Sequence, residues 1–295
     1  MLGVTDTHRG QPAVDALIRL LDLRQLDESQ YEGMSPPVGP QRIFGGQVAG
    51  QALVAAGRTV DPSRRVHSLH AYFVRPGDPS ELLTYGVENI RDGRSFSVRR
   101  CVAYQKDKPI FTMSASFQRE ETGLDHQAPA PLDVPGPDDV PTMAERLAQY
   151  PDRLEGWAAT PRPIDVRYVT EPGWMAPGER AADPHHRVWM RIDGKLPDDP
   201  LLHACALTFA SDMTLLDAVL GTHGEVWGPG GMVGASLDHA MWFHRPFRAD
   251  EWFLYDCSSP SASGARGLAA GRMFTQDGRN IATAVQEGLL RRVGG

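Results

Sequence analysis

The feature that most constrains this chain is a short pattern that returns after a long interval. Phe73-Val74-Arg75-Pro76 recurs as Phe243-His244-Arg245-Pro246, at a spacing of 170 residues (243 − 73). Gln105 and Gln276 each stand before a predicted turn and are 171 residues apart (276 − 105). A sequence that repeats itself at a nearly constant spacing indicates a structural unit that is present twice.

Hydrophobic periodicity predicts the same order of elements around each copy. The first half reads strand, helix and four strands: Gln30–Met34, Phe44–Ala56, Val66–Val74, Leu82–Ile90, Ser95–Gln105 and Ile110–Gln118. The second half repeats it: His186–Ile192, Asp199–Leu220, Ala235–His244, Trp252–Ser258, Gly264–Thr275 and Ile281–Leu290. We expect Gly57 to end the first helix as a left-handed cap and Gly221 to stop the second. The pattern predicts an α+β fold of two antiparallel sheets, each wrapped around one central helix.

A proline-rich segment separates the two halves. Residues 128–141 hold five prolines and one glycine, a composition typical of an extended linker. A helical segment at about 142–158 follows it, and a further helix at 12–24 precedes the first half. We therefore expect an N-terminal repeat at 12–120, a linker with a helical segment at 121–162, and a C-terminal repeat at 163–291 that carries the chemistry.

Composition narrows the class of protein. The net charge is −7 and no block of lysine or arginine stands out, which argues against a nucleic-acid partner. The three cysteines, an odd number in a long chain, indicate reduced thiols and a cytoplasmic protein. No stretch approaches the ~18 apolar residues of a membrane helix, and the chain shows neither a signal peptide nor a peroxisomal tripeptide at its ends. We expect no membrane partner.

Asp212 is the most informative candidate for chemistry. It lies inside the predicted helix, among apolar and small residues, where burial of a carboxylate without partners is costly. Asp212 either holds a backbone group or activates a water, with its pKa tuned by a cleft. Asp217 is expected on a different helix face, in solvent. On the last strand, alternation places Gln286 on the same face as Ala284 and Gly288.

Other signatures are weaker. Gly234-Ala235-Ser236 resembles half of a nucleophile elbow, but the second glycine is missing and no helix is predicted after it. His185-His186 and His203-x-Cys205 match no standard metal spacing, so we expect no metal. His67 and His70 are a rival general-base pair, for which hydrogen bonding in the core or in an interface is the favoured interpretation.

Several blocks together resemble the acyl-CoA thioesterase II family. They are Phe44–Leu53, His67–Asp78, Arg91–Phe96, Ala210–Asp212, Asp238–Phe247, Ser261–Gly267 and Val285–Gly288. The resemblance implies a double hotdog fold and hydrolysis of acyl-CoA to a fatty acid and free CoA. It implies that Asp212 activates the attacking water while Ser236 and Gln286 orient it, with neither a cofactor nor a covalent intermediate. A serine stands at 236 where threonine is common in the family, so the hydroxyl is kept and a methyl is lost.

The internal repeat predicts one active site in each chain. At the strand spacings, Ser236 corresponds to Val66 and Gln286 to Ala115, and residues 41–60 contain no carboxylate. The first half is then expected to lend a wall or a CoA surface. We expect a medium- to long-chain acyl-CoA thioesterase that self-associates, because exposed sheet edges are usually covered. The alternatives are a non-catalytic acyl-CoA binder and a hotdog-fold acyl-CoA hydratase or dehydratase.

Overall fold

The computed structural model describes residues 9–36, 42–131, 133–150, 162–172, 183–228 and 230–293. The helices are α1 (Gly10–Leu21), α2 (Gly45–Gly57), α3 (Met143–Leu147), α4 (Pro200–Ser211) and α5 (Asp217–His223). The strands of the first half are β1 (Arg24–Gln25), β2 (Gln30–Gly33), β3 (Arg64–Phe73), β4 (Leu83–Asp92), β5 (Phe96–Gln105) and β6 (Lys108–Arg119). Those of the second half are β7 (Ile164–Tyr168), β8 (His185–Ile192), β9 (Met232–Ser236), β10 (Asp238–Phe243), β11 (Phe253–Ser263), β12 (Arg266–Thr275) and β13 (Asn280–Arg292).

All of these strands belong to one antiparallel sheet. Its order is β1-β2-β4-β5-β6-β3-β10-β13-β12-β11-β8-β7, with β9 paired to β13. The two predicted sheets are therefore joined, because β3 and β10 pair with each other through Met241 opposite Leu69. This pairing satisfies backbone groups that two separate sheets would leave exposed along their edges. The sheet curves around α2 and α4, the two central helices, whose apolar residues form the core with its inner face.

The strand register supports the equivalence of the two halves. Leu69 stands opposite Ala115 in the β3–β6 pair, and β10 pairs with β13 in the matching register, with Ala240 opposite Val285. Each half also interrupts its strand at the same place. The register of β3 shifts between Val66 and Ser68, while the predicted strand 235–244 divides into β9 and β10 at residue 237. A local irregularity therefore divides the strand that we expected to be continuous.

The two central helices pack against each other in opposite directions. A Cβ added to Gly46 would lie 2.4 Å from the Phe209 carbonyl oxygen, and one added to Gly57 would lie 2.5 Å from Leu201 Cδ1. The expectation of a left-handed cap at Gly57 is wrong, because the cap residue is Arg58, in a right-handed conformation with φ −66°. Glycine is needed at residue 57 for close helix packing instead.

We predict that Gly46→Ala will destabilise the fold by about 1–3 kcal/mol, although alanine favours helices more than glycine does. The new methyl would meet a backbone carbonyl that cannot rotate away. Urea unfolding measures the change, with Gly86→Ala as the control, since a Cβ at Gly86 meets only Tyr104 at 3.8 Å. Equal losses in the two variants would contradict close packing at Gly46.

The prediction of one continuous helix at 199–220 is wrong. Helix α4 ends at Ser211, with Asp212 as its cap residue. Helix α5 runs from Asp217 to His223 and is capped by Gly224, which is left-handed with φ 67°, so Gly221 does not stop it as expected. Side chains near the break bond to the backbone: Thr208 donates to the Ala204 carbonyl and Ser211 to the Thr208 carbonyl. Such bonds compete with continued helix, and the break frees the Asp212 side chain to leave the helix axis.

Candidate active site

Asp212, Ser236 and Gln286 come together at one point. Gln286 Nε2 donates to Asp212 Oδ1 at 2.5 Å, and Ser236 Oγ donates to the same oxygen at 3.3 Å. Two neutral donors thus converge on one carboxylate oxygen. This is the set of three residues that the sequence comparison with the thioesterase family indicated.

Three different elements supply these side chains. Asp212 caps the end of α4, Ser236 ends β9, and Gln286 lies within β13 on the inner face of the sheet, fully buried. Strand β9 pairs with β13 through Ser236 opposite Gly288, which holds the hydroxyl beside the amide. Gln286 Oε1 is buried and has no hydrogen-bond partner among the described residues. A buried amide oxygen of this kind is an acceptor available to a water or a substrate.

The first half contributes the start of α2 to the site. Phe44, the cap residue, provides no side-chain hydrogen bond to the helix. The Asp212 carboxylate instead lies against this turn: the Gly46 backbone acts to lower its pKa, and a Cβ at Gly45 would lie 2.7 Å from Asp212 Oδ2. A carboxylate from the second half therefore lies at the start of a helix of the first, where the helix dipole favours negative charge. Sequence analysis did not identify this contact, which depends on the missing Cβ atoms of Gly45 and Gly46.

Burial dominates the electrostatics of Asp212. Loss of solvation raises the pKa of Asp212 to about 6, although hydrogen bonds from Gln286, Gly46 and Ser236 act in the opposite direction. A carboxylate with this pKa is ionised at neutral pH and binds a proton far more readily than an ordinary aspartate does. The site can therefore provide a base that accepts one proton from a water.

A cleft of about 490 Å³ opens onto Asp212 and Ser236. Its walls combine apolar side chains from both halves: Ile43, Phe44, Val48, Phe73, Phe111, Met213 and Leu216. Arg42 and Arg75 also line it, and Arg75 Nη1 donates to the Pro109 carbonyl at 2.5 Å. An apolar cleft with a few convergent polar groups is the usual form of a small-molecule site.

Asp217 also lines this cleft, contrary to the expectation that it lies in solvent. Its side chain is 23% exposed, and Trp227 Nε1 donates to its Oδ1 at 2.7 Å. Burial raises the pKa of Asp217 to about 6 as well. The expectation was wrong because the helix breaks before Asp217, so positions on one continuous helix do not describe where it points.

The rival histidines lie elsewhere. His67 Nε2 bonds to Ser116 Oγ at 2.8 Å, and the His70 ring contacts the edge of Trp242. His185 Nδ1 bonds to the Asp256 carboxylate, and His203 Nδ1 accepts from the Ala249 amide. No group of three or more metal-ligating side chains occurs within the described ranges. Ser236 is followed by strand β10 rather than by a helix, unlike a nucleophile elbow.

Comparisons with known proteins agree with this geometry. A family model described as acyl-CoA thioesterase matches residues 160–289, and one described as acyl-CoA thioesterase N-terminal domain matches residues 33–118. Human acyl-coenzyme A thioesterase 8 is 40% identical over 299 residues, covering 96% of this chain and 92% of that protein. No helix among the described residues is long and apolar enough to cross a membrane.

Solved structures support the fold. Acyl-CoA thioesterase II TesB2 of Mycobacterium marinum is 44% identical, with a TM-score of 0.75 and coverage of 95% of this chain and 98% of that one. A hot dog fold protein of Alicyclobacillus acidocaldarius is 20% identical with a TM-score of 0.74, covering 94% and 98%, and shows the fold alone. The double hotdog prediction is confirmed. The chain therefore belongs to the acyl-CoA thioesterase II family, whose members hydrolyse the thioester of acyl-CoA.

Proposed function

We propose that this thioesterase hydrolyses medium- to long-chain acyl-CoA by a water that Asp212, Ser236 and Gln286 hold. The convergence of the Ser236 hydroxyl and the Gln286 amide on Asp212 Oδ1 carries the proposal. Two donors fixed on one oxygen hold the carboxylate in a single orientation. The unpartnered Gln286 Oε1 adds an acceptor for the water in the same place.

The proposed reaction is a direct hydrolysis. Asp212 takes a proton from the water as the water oxygen bonds to the thioester carbonyl carbon. The carbon–sulfur bond then breaks, the electron pair leaves on sulfur, and the proton returns to give free CoA. Of the first amides of α2, those of Gln47 and Val48 donate to the Phe44 carbonyl and that of Gly46 faces Asp212. The Gly45 amide is therefore the candidate group to polarise the carbonyl.

The apolar walls of the cleft support an acyl chain as the part of the substrate that enters it. Phe44, Phe73 and Phe111 line the same cleft as Asp212 and present no charge to the acyl chain. Burial of each methylene is worth about 0.8 kcal/mol, so activity should rise with chain length until the cleft is full. Medium to long acyl chains would bury the most apolar surface against these walls.

Thiol release measured across a panel of acyl-CoA lengths tests the proposal. Turnover that increases from short to medium or long chains is the expected result. A hydratase would change the absorbance of an enoyl-CoA without releasing thiol, and a non-catalytic binder would do neither. Turnover confined to the shortest acyl groups would contradict the chain-length proposal.

We predict that kcat/KM will fall as the pH drops below about 6. The pKa of Asp212 lies at about 6, and the protonated acid cannot accept a proton from water. Well below that pH, the rate should fall about tenfold for each pH unit, since kcat/KM follows the ionised fraction of the free enzyme. A flat profile from about pH 5 to about pH 8 would contradict Asp212 as the base. Ser236→Thr serves as a control that should keep the same profile, because it retains the hydroxyl.

We also propose that the protein is cytoplasmic, forms a homo-oligomer and has no nucleic-acid partner. Each chain would consist of an N-terminal repeat at 12–120, a linker at 121–162 and a C-terminal repeat at 163–291. Tyr72 and Val74, at the end of β3 and just beyond it, are 64% and 46% exposed and support a covered surface there. Part of the linker's predicted helical segment lies outside the described residues. Sedimentation of the chain tests the assembly, and a monomer at all concentrations would contradict it.

A further inference from the structure

The structure contains a second cleft, larger than the first, at the other end of the paired central helices. Its volume is about 920 Å³. It lies between the end of α2 and the start of α4, whereas the catalytic cleft lies between the start of α2 and the end of α4. The mechanism proposed above uses none of the residues that line it.

This second cleft is built on the plan of the first, with the two halves exchanged. The catalytic cleft takes residues 234–237 from one half and 73–77 from the other. The second cleft takes residues 64–67 and 243–247, which are the equivalent positions at the spacing of the internal repeat. The two clefts are therefore copies related by the duplication, and both have stayed open.

The three catalytic groups are missing from the second cleft. Val66 stands where the first cleft has Ser236, and Ala115 is the equivalent of Gln286. When the first residues of α2 and α4 are aligned, Gly57 takes the place of Asp212. The histidines of this cleft are engaged: His67 bonds to Ser116, His203 accepts from the Ala249 amide, and His244 bonds to Thr283. A ligand there would meet no counterpart of Asp212 with its two donors, so it would stay intact.

Positive charge distinguishes the second cleft. Arg64 and Arg65 replace Gly234 and Ala235 of the catalytic copy. Six arginines and four acids line this cleft: Arg58, Arg64, Arg65, Arg119, Arg245 and Arg248 with Asp198, Asp199, Glu120 and Glu121. This local excess of positive charge occurs in a chain whose net charge is −7.

Two of these arginines are available to a ligand, while some of the acids are already engaged. The exposed side chains of Arg65 and Arg119 make no hydrogen bond or close ion pair within the described parts of the chain. Asp198 pairs with Arg248, and the Asp199 carboxylate accepts the Leu201 amide as the cap of α4. The free arginines favour an anion with several phosphate oxygens.

Apolar residues line the same cleft beside this charge. Val66 and Phe117 are buried residues of β3 and β6, and Phe243 stacks in parallel with Phe247 at 6.3 Å between ring centroids. Leu201 reaches the cleft from the start of α4. Apolar walls beside unpaired arginines suit a molecule with a phosphorylated head and an apolar tail.

We propose that the second cleft binds one acyl-CoA without hydrolysing it. The phosphates would contact Arg65 and Arg119, and the acyl chain would lie along Val66, Phe117 and Phe243. Each chain then holds two acyl-CoA molecules, of which only the one beside Asp212 is cleaved. The choice of ligand takes the substrate class of the first cleft and so rests on the proposed function.

Calorimetric titration of full-length Asp212→Asn with a non-hydrolysable S-alkyl-CoA thioether tests the proposal. The expected result is two molecules bound per chain. The double variant Arg65→Glu/Arg119→Glu, made in the same background, should bind one. The matched control Arg19→Glu/Arg291→Glu, which changes charge equally at exposed residues outside both clefts, should still bind two.

One thioether per chain in the Asp212→Asn protein would overturn the proposal, as would two in the Arg65→Glu/Arg119→Glu protein. The proposal would also be overturned if a second copy of the chain occupied the cleft. In that case sedimentation would show that the Arg65→Glu/Arg119→Glu variant dissociates into smaller species than the parent. Thiol release by the unaltered chain distinguishes failure of the second-cleft proposal from failure of the proposed function. Normal release with one bound thioether rejects only the second cleft, whereas no release from any acyl-CoA rejects the proposed function.

Discussion

Asparagine in place of Asp212 will lower kcat for thioester hydrolysis by about 10²–10⁴-fold, the usual contribution of a positioned general base. The amide oxygen can still accept the hydrogen bonds of Ser236 and Gln286, but it cannot take a proton from water. KM should change little, because the apolar walls that hold the acyl chain stay in place. Steady-state thiol release gives both constants.

The matched comparison is Asp217→Asn, a second carboxylate in the same cleft whose pKa burial also raises to about 6. Neither Ser236 nor Gln286 donates to Asp217, so it lacks the convergent contacts that define the proposed base. Its replacement should cost far less than that of Asp212, about tenfold at most. A larger loss of kcat in Asp217→Asn than in Asp212→Asn would contradict Asp212 as the base and would indicate Asp217 instead.

The same Asp212→Asn variant will be more stable than the parent at pH 8, by about 1–3 kcal/mol. Burial raises the pKa of Asp212 from 3.8 to about 6 on folding, so the folded chain binds a proton more tightly than the unfolded chain. Ionised Asp212 therefore destabilises the fold above pH 6. This cost declines as the pH falls from about 6 to about 4 and is absent below both pKa values.

Urea unfolding at two pH values measures this effect. The gain from Asp212→Asn should be full at pH 8 and close to zero below about pH 4. An equal gain at both values would show that packing, and not ionisation, separates the variants. Loss of activity together with gain of stability is the pattern expected of a strained catalytic group.

The sequence determined the duplication and most of the secondary structure. The Phe-x-Arg-Pro repeat predicted two equivalent halves, and the pairing of β3 with β6 and of β10 with β13 supports that register. Alternation on the last strand placed Gln286 on the same face as Ala284 and Gly288, and all three residues are buried. These features depend on residues close in sequence, whose periodicity reports directly which side of a strand is buried.

Only the tertiary structure decided how the halves meet. The sequence could not show that β3 and β10 join into one sheet, because pairing between edge strands depends on shape over long distances. It also could not show that Gly57 serves the close approach of Leu201 rather than a left-handed turn. The two explanations for a glycine look the same in one sequence.

The candidate active site divides in the same way. Resemblance to the thioesterase family singled out Asp212, Ser236 and Gln286, but their approach follows from the end of α4 at Ser211 and the pairing of β9 with β13. The Gly46 contact, the place of Asp217 and the second cleft were beyond the sequence, because each brings together residues from distant parts of the chain. Local patterns determine which residues face inward, and only the packing of the two repeats determines what those residues meet.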